Sequence, residues 1–553
     1  YTRDNGDGTK GCYVLENGEY TITLGKNSHD AWDSRTTTIN ETVWYDNDNP
    51  RQTEKDGQSL LDENGNPTGV PSKSGAEFIA ATNLFQDSSD YMNTEKVTLL
   101  TRSDWANTQP SAPEGESFTV DKEVSDVIDR FSKNTFDYKT DPLLGNVKGS
   151  AVYQETAPVS NADNGLTLAD MRGLDYYDES WDLLLDQIDY TATDEIVNLL
   201  YGGAYNIGQL TSIGMPKSNS GEGPSGIGIF AKMFAQVFGG ATALPETCAY
   251  AANIVIASTW NVNLAYDVGE SVAQEAFHFI LGEGNWLCGW TGPAMNLQRS
   301  AFNGRNAEYY SEDPVLAGNI GANEVSGAGD NGLYMIFKHF ALNNVETAKT
   351  IGDGICTWAD EQTMREQYFK IFEKVFKDSR REVKYIADNE GTLKTRVVRG
   401  ATAVMTAFNR IGAIPAGSNY NFITKLLKEE WGFQGFVQTD MPCQSNKDQM
   451  LRAGGAIEMN MTAAAPEDLS SPTAQHLIRR AVHDIAFAVT NSSVMQGAAP
   501  GAIIYYDMSP WAVTLLVINI AVYAIVIAGI VWIVLRVLDE KKHPEKYKRK
   551  EKI

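Results

Sequence analysis

Cysteine is scarce in this sequence and carries no pattern. Five thiols (Cys12, Cys248, Cys288, Cys356 and Cys443) show no C-x-x-C spacing, which excludes zinc ribbons and dithiol redox motifs. An odd number also argues against a disulfide framework. Histidine is equally sparse: the six present form neither H-x₃-H nor H-E-x-x-H, so no protein-held metal is expected and no cofactor is called for. Positive charge is short as well. The net charge is −25, and residues 536–553 carry eight Lys/Arg against four Asp/Glu, which leaves −29 for everything before them. An acidic body lacks the basic face that neutralises phosphates, so nucleic acid is excluded as a partner, whereas a neutral sugar is compatible. Repeats of 20–50 residues and low-complexity tracts are absent, which removes solenoids and arrays.

A long apolar run occurs once. Trp511 to Leu535 is 25 residues without a charge, enough to cross the ~30 Å hydrocarbon layer at ~1.5 Å per residue. Tyr505, Tyr506, Trp511 and Trp532 sit near its ends, where aromatic rings favour the interface. Lys541, Lys542, Lys546, Lys548, Arg549, Lys550 and Lys552 follow it, and the positive-inside rule places them in the cytoplasm. The expectation is a single-pass protein of the cell membrane, with its acidic body outside. The sequence opens on Tyr1 without a signal peptide, which reads as a fragment lacking its N-terminal part.

Length implies more than one domain. Residues 1–35 alternate in short strands broken by Asn5-Gly6 and Asp7-Gly8, as at the end of a β-sandwich module. Residues 36–125 are polar and turn-rich, a linker or an excursion lying on a neighbour. A helical stretch follows at 122–131, and from about 165 to 495 strand-like runs alternate with helical ones at 360–376, 421–430 and 474–488, which suits a (β/α)₈ barrel placed at 126–500. The spanning helix is placed at 505–536 and the basic tail at 537–553.

Three apolar runs end in polar or charged groups. Tyr334-Met-Ile-Phe337 meets Lys338-His339, Ala403–Phe408 meets Asn409-Arg410, and Gly435-Phe-Val-Gln-Thr-Asp440 ends on a carboxylate. In a barrel of this type the C-terminal strand ends form the active-site face, so such groups gather there for reactants. Asp440 is the candidate for the chemistry; its structural alternative is an N-cap for the following helix.

Five motifs in order carry a resemblance: Gly304-Arg-Asn-Ala-Glu-Tyr-Tyr-Ser-Glu-Asp-Pro314, Lys338-His-Phe-Ala-Leu-Asn-Asn-Val-Glu346, Ala359-Asp-Glu-Gln-Thr-Met-Arg-Glu366, Met405-Thr-Ala-Phe-Asn-Arg-Ile-Gly412 and Trp431-Gly-Phe-Gln-Gly-Phe-Val-Gln-Thr-Asp440. Together they resemble glycoside hydrolase family 3, in its β-glucosidase-like branch. The resemblance covers about 165–495, and residues 18–24 are similar to the end of the family's fibronectin-III-like domain. With that module first, the chain looks like the subgroup of reversed domain order.

The resemblance implies that Asp440 is the nucleophile, and that Lys338 and His339 are cationic donors to the sugar. Arg305 would be a sugar ligand, or else a bridge to Glu308 or Asp313. Met405, Phe408 and Met441 would line the site. Arg299 is read as a structural bridge, and Ser311 as the cap of a helix with acids in its first turn.

Three departures from the family pattern stand out. Its Asp-Gly-Pro sugar ligand is Glu222-Gly223-Pro224 here, one methylene longer. Its Tyr that hydrogen-bonds the nucleophile is Phe408, which should raise the Asp440 pKa. Its aromatic after the nucleophile is Met441. The resemblance also places the acid/base Glu in an α/β domain that these residues do not include. The reading is therefore a retaining, exo-acting β-glycosidase taking an oligosaccharide or glycoside. The alternative is a catalytically impaired carbohydrate-binding surface protein.

Overall fold

The computed structural model describes residues 3–27, 30–49, 59–61, 67–71, 80–86, 88, 120–133, 135–137, 139–141, 145–191, 193–203, 205–228, 246–278, 280, 281, 285–347, 349, 354–441, 447–460, 466–504 and 510–547. His29, Cys443, Tyr505, Tyr506 and the basic residues from Lys548 onward lie outside them. The chain divides into two units, Tyr1–Tyr505 and Tyr506–Ile553.

The first unit is built on a sheet of short buried strands: β1 (Asn206–Ile207), β2 (Ser218–Glu222), β3 (Asn285–Thr291), β4 (Tyr334–Phe340), β5 (Ala403–Thr406) and β6 (Phe436–Gln438). They lie side by side in chain order, and β2 to β6 are parallel. Strands buried on both faces read as unbroken apolar runs, as Tyr334-Met-Ile-Phe337 does, and period-2 geometry splits them between two cores. Met335, Phe337, Val404 and Val437 face an outer core with Phe372, Phe376 and Trp431. Tyr334, Ile336, Ala403, Met405 and Phe436 face an inner core with Ile457 and Ile478. Helices α1 (Val262–His278), α2 (Pro314–Asp330), α3 (Lys370–Asp378) and α4 (Pro472–Thr490) follow.

Among the described residues the barrel does not reach eight parallel strands. β1 runs antiparallel to β2. Beyond β6 the next member is a single parallel bridge, Gln438 to Ile457. The Glu458 N–H then reaches Leu200 C=O at 2.7 Å, and the Ser220 N–H reaches Tyr205 C=O at 2.9 Å, which carries the ring back to β2. Between β4 and β5, Arg380–Ile386 and Leu393–Arg399 pair with each other as an antiparallel hairpin. The observed form is TIM-like, with a partial sheet.

Gly435 shows how β6 is admitted. Its φ is +151°, and a Cβ there would stand 2.0 Å from Thr402 C=O, so only glycine lets the strand enter beside β5.

Ahead of the barrel, Gly18–Asn27 pairs with Asp30–Ile39 and Tyr13–Leu15 with Val43–Tyr45, both antiparallel. Residues 80–88 dock on the barrel. Leu84 and Phe85 donate backbone N–H bonds to Glu361 Oε2 at 3.1 and 2.8 Å, and the buried Phe85 ring meets Phe369 and Phe422 edge-on.

The second unit is α5, Pro510–Lys542. Its mean hydropathy is 2.6 over the most apolar stretch, and it is long and apolar enough to cross a membrane. Arg536 stacks on Trp532 at its charged end.

Candidate active site

The C-terminal ends of β2, β4 and β6 converge. β4 delivers Lys338 and His339, each 2% exposed. Lys338 Nζ donates to Glu222 Oε1 at 2.7 Å, which joins the ends of β4 and β2. Glu222 is held there by the next residue. A Cβ on Gly223, at φ +156°, would meet Gly226 C=O at 2.0 Å, and Trp290 Nε1 donates to Gly223 C=O at 2.6 Å. Asn296 brackets His339, accepting its N–H at 2.9 Å and donating to its C=O at 2.8 Å.

The imidazole is neutral, not the cation expected from sequence. Burial pushes its pKa well below the ordinary histidine range, and Arg305, Lys338 and Lys349 push the same way. Arg305 Nη1 lies 3.2 Å from His339 Nε2. A guanidinium only donates, so Nε2 accepts and the ring proton sits on Nδ1. That Nδ1 is buried with no partner among the described residues.

Of the roles considered for Arg305, the structure shows the bridge to Glu308, with a further contact to His339. Nε and Nη2 grip the two Glu308 oxygens at 2.9 and 2.5 Å, while Nη1 serves His339. Asp313 takes no part, because its carboxylate accepts from the Val315 and Leu316 N–H groups and caps α2. Ser311, expected as that cap, instead accepts the Asp313 N–H at 3.0 Å.

Asp440 stands two residues past β6. Its Oδ1 accepts the Met441 N–H at 2.8 Å, and its Oδ2 is 3.6 Å from His339 Nε2. The next helix begins at Lys447, so Asp440 does not cap it. Burial raises its pKa to about 6; the Met441 N–H, Lys338, Lys349 and Arg305 all pull the other way.

The charges around it are already matched. Lys338 is with Glu222, Arg305 with Glu308, and Lys349 with Glu346 at 2.6 Å. Among the described residues, Asp440 is the carboxylate of this group that has no cation paired with it, only the Met441 N–H and a neutral imidazole. Such a group pairs a high proton affinity with unspent hydrogen-bonding capacity, as a reacting group requires.

Other expected residues take different places. Met405 is 2% exposed in the inner core, Phe408 is buried, and Met441 is half-buried against the inner core. The Asn409-Arg410 strand end is structural, contrary to expectation. Arg410 is fully buried and donates to Ala413 C=O and Ser132 Oγ, both at 2.8 Å, pinning the helix Lys122–Ser132.

Two residues escaped the sequence reading. Lys349 lies in a polar loop beyond the quoted motif. Tyr205 precedes β1 at φ +58°, and its phenol pKa is raised by burial, then by Glu222 and Asp440. A bulky residue held at positive φ is the signal, and it is invisible before the backbone is known.

Residues 233–465 match the model of the glycosyl hydrolase family 3 N-terminal domain. Over these 233 of its 553 residues the chain is similar to that family. Among curated relatives, Beta-glucosidase A of Butyrivibrio fibrisolvens is 30% identical over 287 residues, half of this chain and 29% of the relative. An Exo-alpha-(1->6)-L-arabinopyranosidase of Bifidobacterium longum is 29% identical over 270 residues, 48% of this chain and 31% of the relative. The chain thus spans under a third of these relatives' length. A β-glucosidase structure from Paenibacillus barengoltzii covers 89% of this chain and 46% of its own, with a TM-score of 0.53 at 19% identity, a likeness of fold alone.

Proposed function

We propose that this barrel is the sugar-binding and nucleophile-bearing part of a retaining, exo-acting β-glycosidase of family 3. The observation that carries the reading is Asp440: a buried carboxylate at a strand end, with a pKa near 6, in a mouth where Glu222, Glu308 and Glu346 are each engaged by a cation. Asp440 attacks the anomeric carbon. Lys338, Glu222, the Nδ1–H of His339 and Arg305 supply the polar groups for the terminal sugar.

A retaining mechanism needs a second carboxyl ~5 Å from the first to protonate the leaving oxygen. Among the described residues, the mouth carboxylates Glu222, Glu308 and Glu346 are ion-paired, which favours an acid/base supplied by another domain. The relatives named above act on glucosides and on arabinopyranosides, so both sugars belong in the substrate panel. Hydrolysis of aryl glycosides by the full-length protein, lost in Asp440→Asn, tests the reading. Sugar binding without turnover, unaffected by Asp440→Asn, would favour a carbohydrate-binding protein instead.

We read α5 as a membrane anchor with the barrel outside, supported by its apolar length and the basic residues after it. Carbonate-resistant membrane association, with the barrel open to added protease on intact cells, is the expected result.

A further inference from the structure

Lys349 is the site's third cation, and it is built in rather than left on the surface. Its Nζ is 2.6 Å from Glu346 Oε2 and 5.1 Å from the centroid of the Phe408 ring, with 10% of the side chain exposed. Phe408 is 7% exposed, so its ring offers one fixed face. An ammonium out of water between a carboxylate and an aromatic face has little freedom left. Phe408 lies just beyond β5, and β5 is the strand between β4 and β6. The Ala407 N–H donates to Phe340 C=O at 2.7 Å, which fixes this strand end against β4. A cation beside Phe408, at the end of the strand between β4 and β6, is placed so that its field acts on both His339 and Asp440.

We propose that Lys349, clamped between Glu346 and Phe408, is a positioning residue that sets the electrostatic potential at the Asp440 carboxylate. The proposal rests on the reading of Asp440 as nucleophile. Other groups face that carboxylate too. β4 contributes Lys338, bound to Glu222 of β2, and neutral His339. The loop before α2 contributes Arg305, bound to Glu308, and the segment before β1 contributes Tyr205. Lys349 differs from Lys338 in standing outside the strands, so replacing it leaves the strand ends in place.

The test is the pH dependence of covalent labelling of the full-length protein by a 2-deoxy-2-fluoroglycoside with a dinitrophenolate leaving group. That leaving group departs without a proton, so the acid/base does not enter the labelling step. Wild type should label Asp440 with an acid limb near pH 6. In Lys349→Met the limb should rise by about one pH unit, with roughly fivefold slower labelling at pH 6. Lys349→Arg should restore the wild-type limb, and Phe408→Leu, which removes only the platform, should give a smaller upward shift. A merely structural role would change the amount of labelled protein and leave the limb in place. An unmoved limb in Lys349→Met, or in Phe408→Leu should Lys349→Met not fold, overturns the proposal while the nucleophile reading stands. No label on Asp440 at any pH overturns that reading and the proposal with it.

Discussion

Lys338 Nζ and Glu222 Oε1 lie 2.7 Å apart across 116 residues of chain, tying the end of β4 to the end of β2. The two partners are unequally buried, at 2% and 16% exposed, so losing either should not have the same effect. Glu222→Ala strands a buried ammonium and is expected to cost about 3 kcal/mol. Lys338→Met leaves a carboxylate that water still reaches, and should cost less. Denaturant unfolding of both variants checks the order; equal or negligible losses would mean that the pair does not hold the strand ends together.

Asp440 should be a stability liability at neutral pH. Its folded pKa of about 6 lies above the ordinary value of 3.8, so folding favours the protonated form. The associated stability is fully present below about pH 4 and is lost as pH rises through 6. Asn imitates the protonated group. Each pH unit of displacement corresponds to about 1.4 kcal/mol, so Asp440→Asn is expected to gain on the order of 3 kcal/mol at pH 8 and little at pH 4. A melting temperature that falls at pH 8 would speak against the buried, unpaired carboxylate.

His339 should remain neutral where ordinary histidines titrate. Nitrogen chemical shifts of selectively labelled protein should show the Nδ1–H tautomer unchanged from pH 8 to pH 5, because burial and three cations oppose protonation. A titration midpoint near 6.5 would return it to the cationic role.

Arg365 tests which motifs are structural. It is 6% exposed and binds Glu430 at 2.8 and 3.0 Å, Glu361 at 2.6 Å and Thr82 C=O at 2.8 Å. Arg365→Met leaves Glu430, 4% exposed, without its guanidinium and is expected to destabilise by ~3–5 kcal/mol. The sugar affinity of the folded fraction should be unchanged, and a parallel loss of affinity would move Arg365 into the site.

These cases mark what could be read before the structure was seen. The strands at Tyr334, Ala403 and Phe436 and the helices at Lys122, Asn421 and Pro472 were legible, since buried parallel strands leave unbroken apolar runs and helices leave a 3.6-residue stripe. The ion pairs Lys338–Glu222 and Arg305–Glu308 join groups that the motifs had already singled out. What failed depends on backbone geometry. The hairpin Arg380–Arg399 is strand-like in sequence, and only its pairing shows that it stands apart from the barrel sheet. Ring closure rests on one bridge at Ile457, too short to leave a pattern. Ser311 and Asp313 are both good caps, and which one serves depends on where the first turn starts. Lys349 looks like any loop lysine until Phe408 and Glu346 are seen around it.

The most direct test of the account is the mass of the full-length protein after exposure to a 2-deoxy-2-fluoroglycoside, with the modified peptide sequenced. The account expects one glycosyl adduct, on Asp440, abolished in Asp440→Asn. An unmodified protein, or an adduct on any other residue, would contradict it.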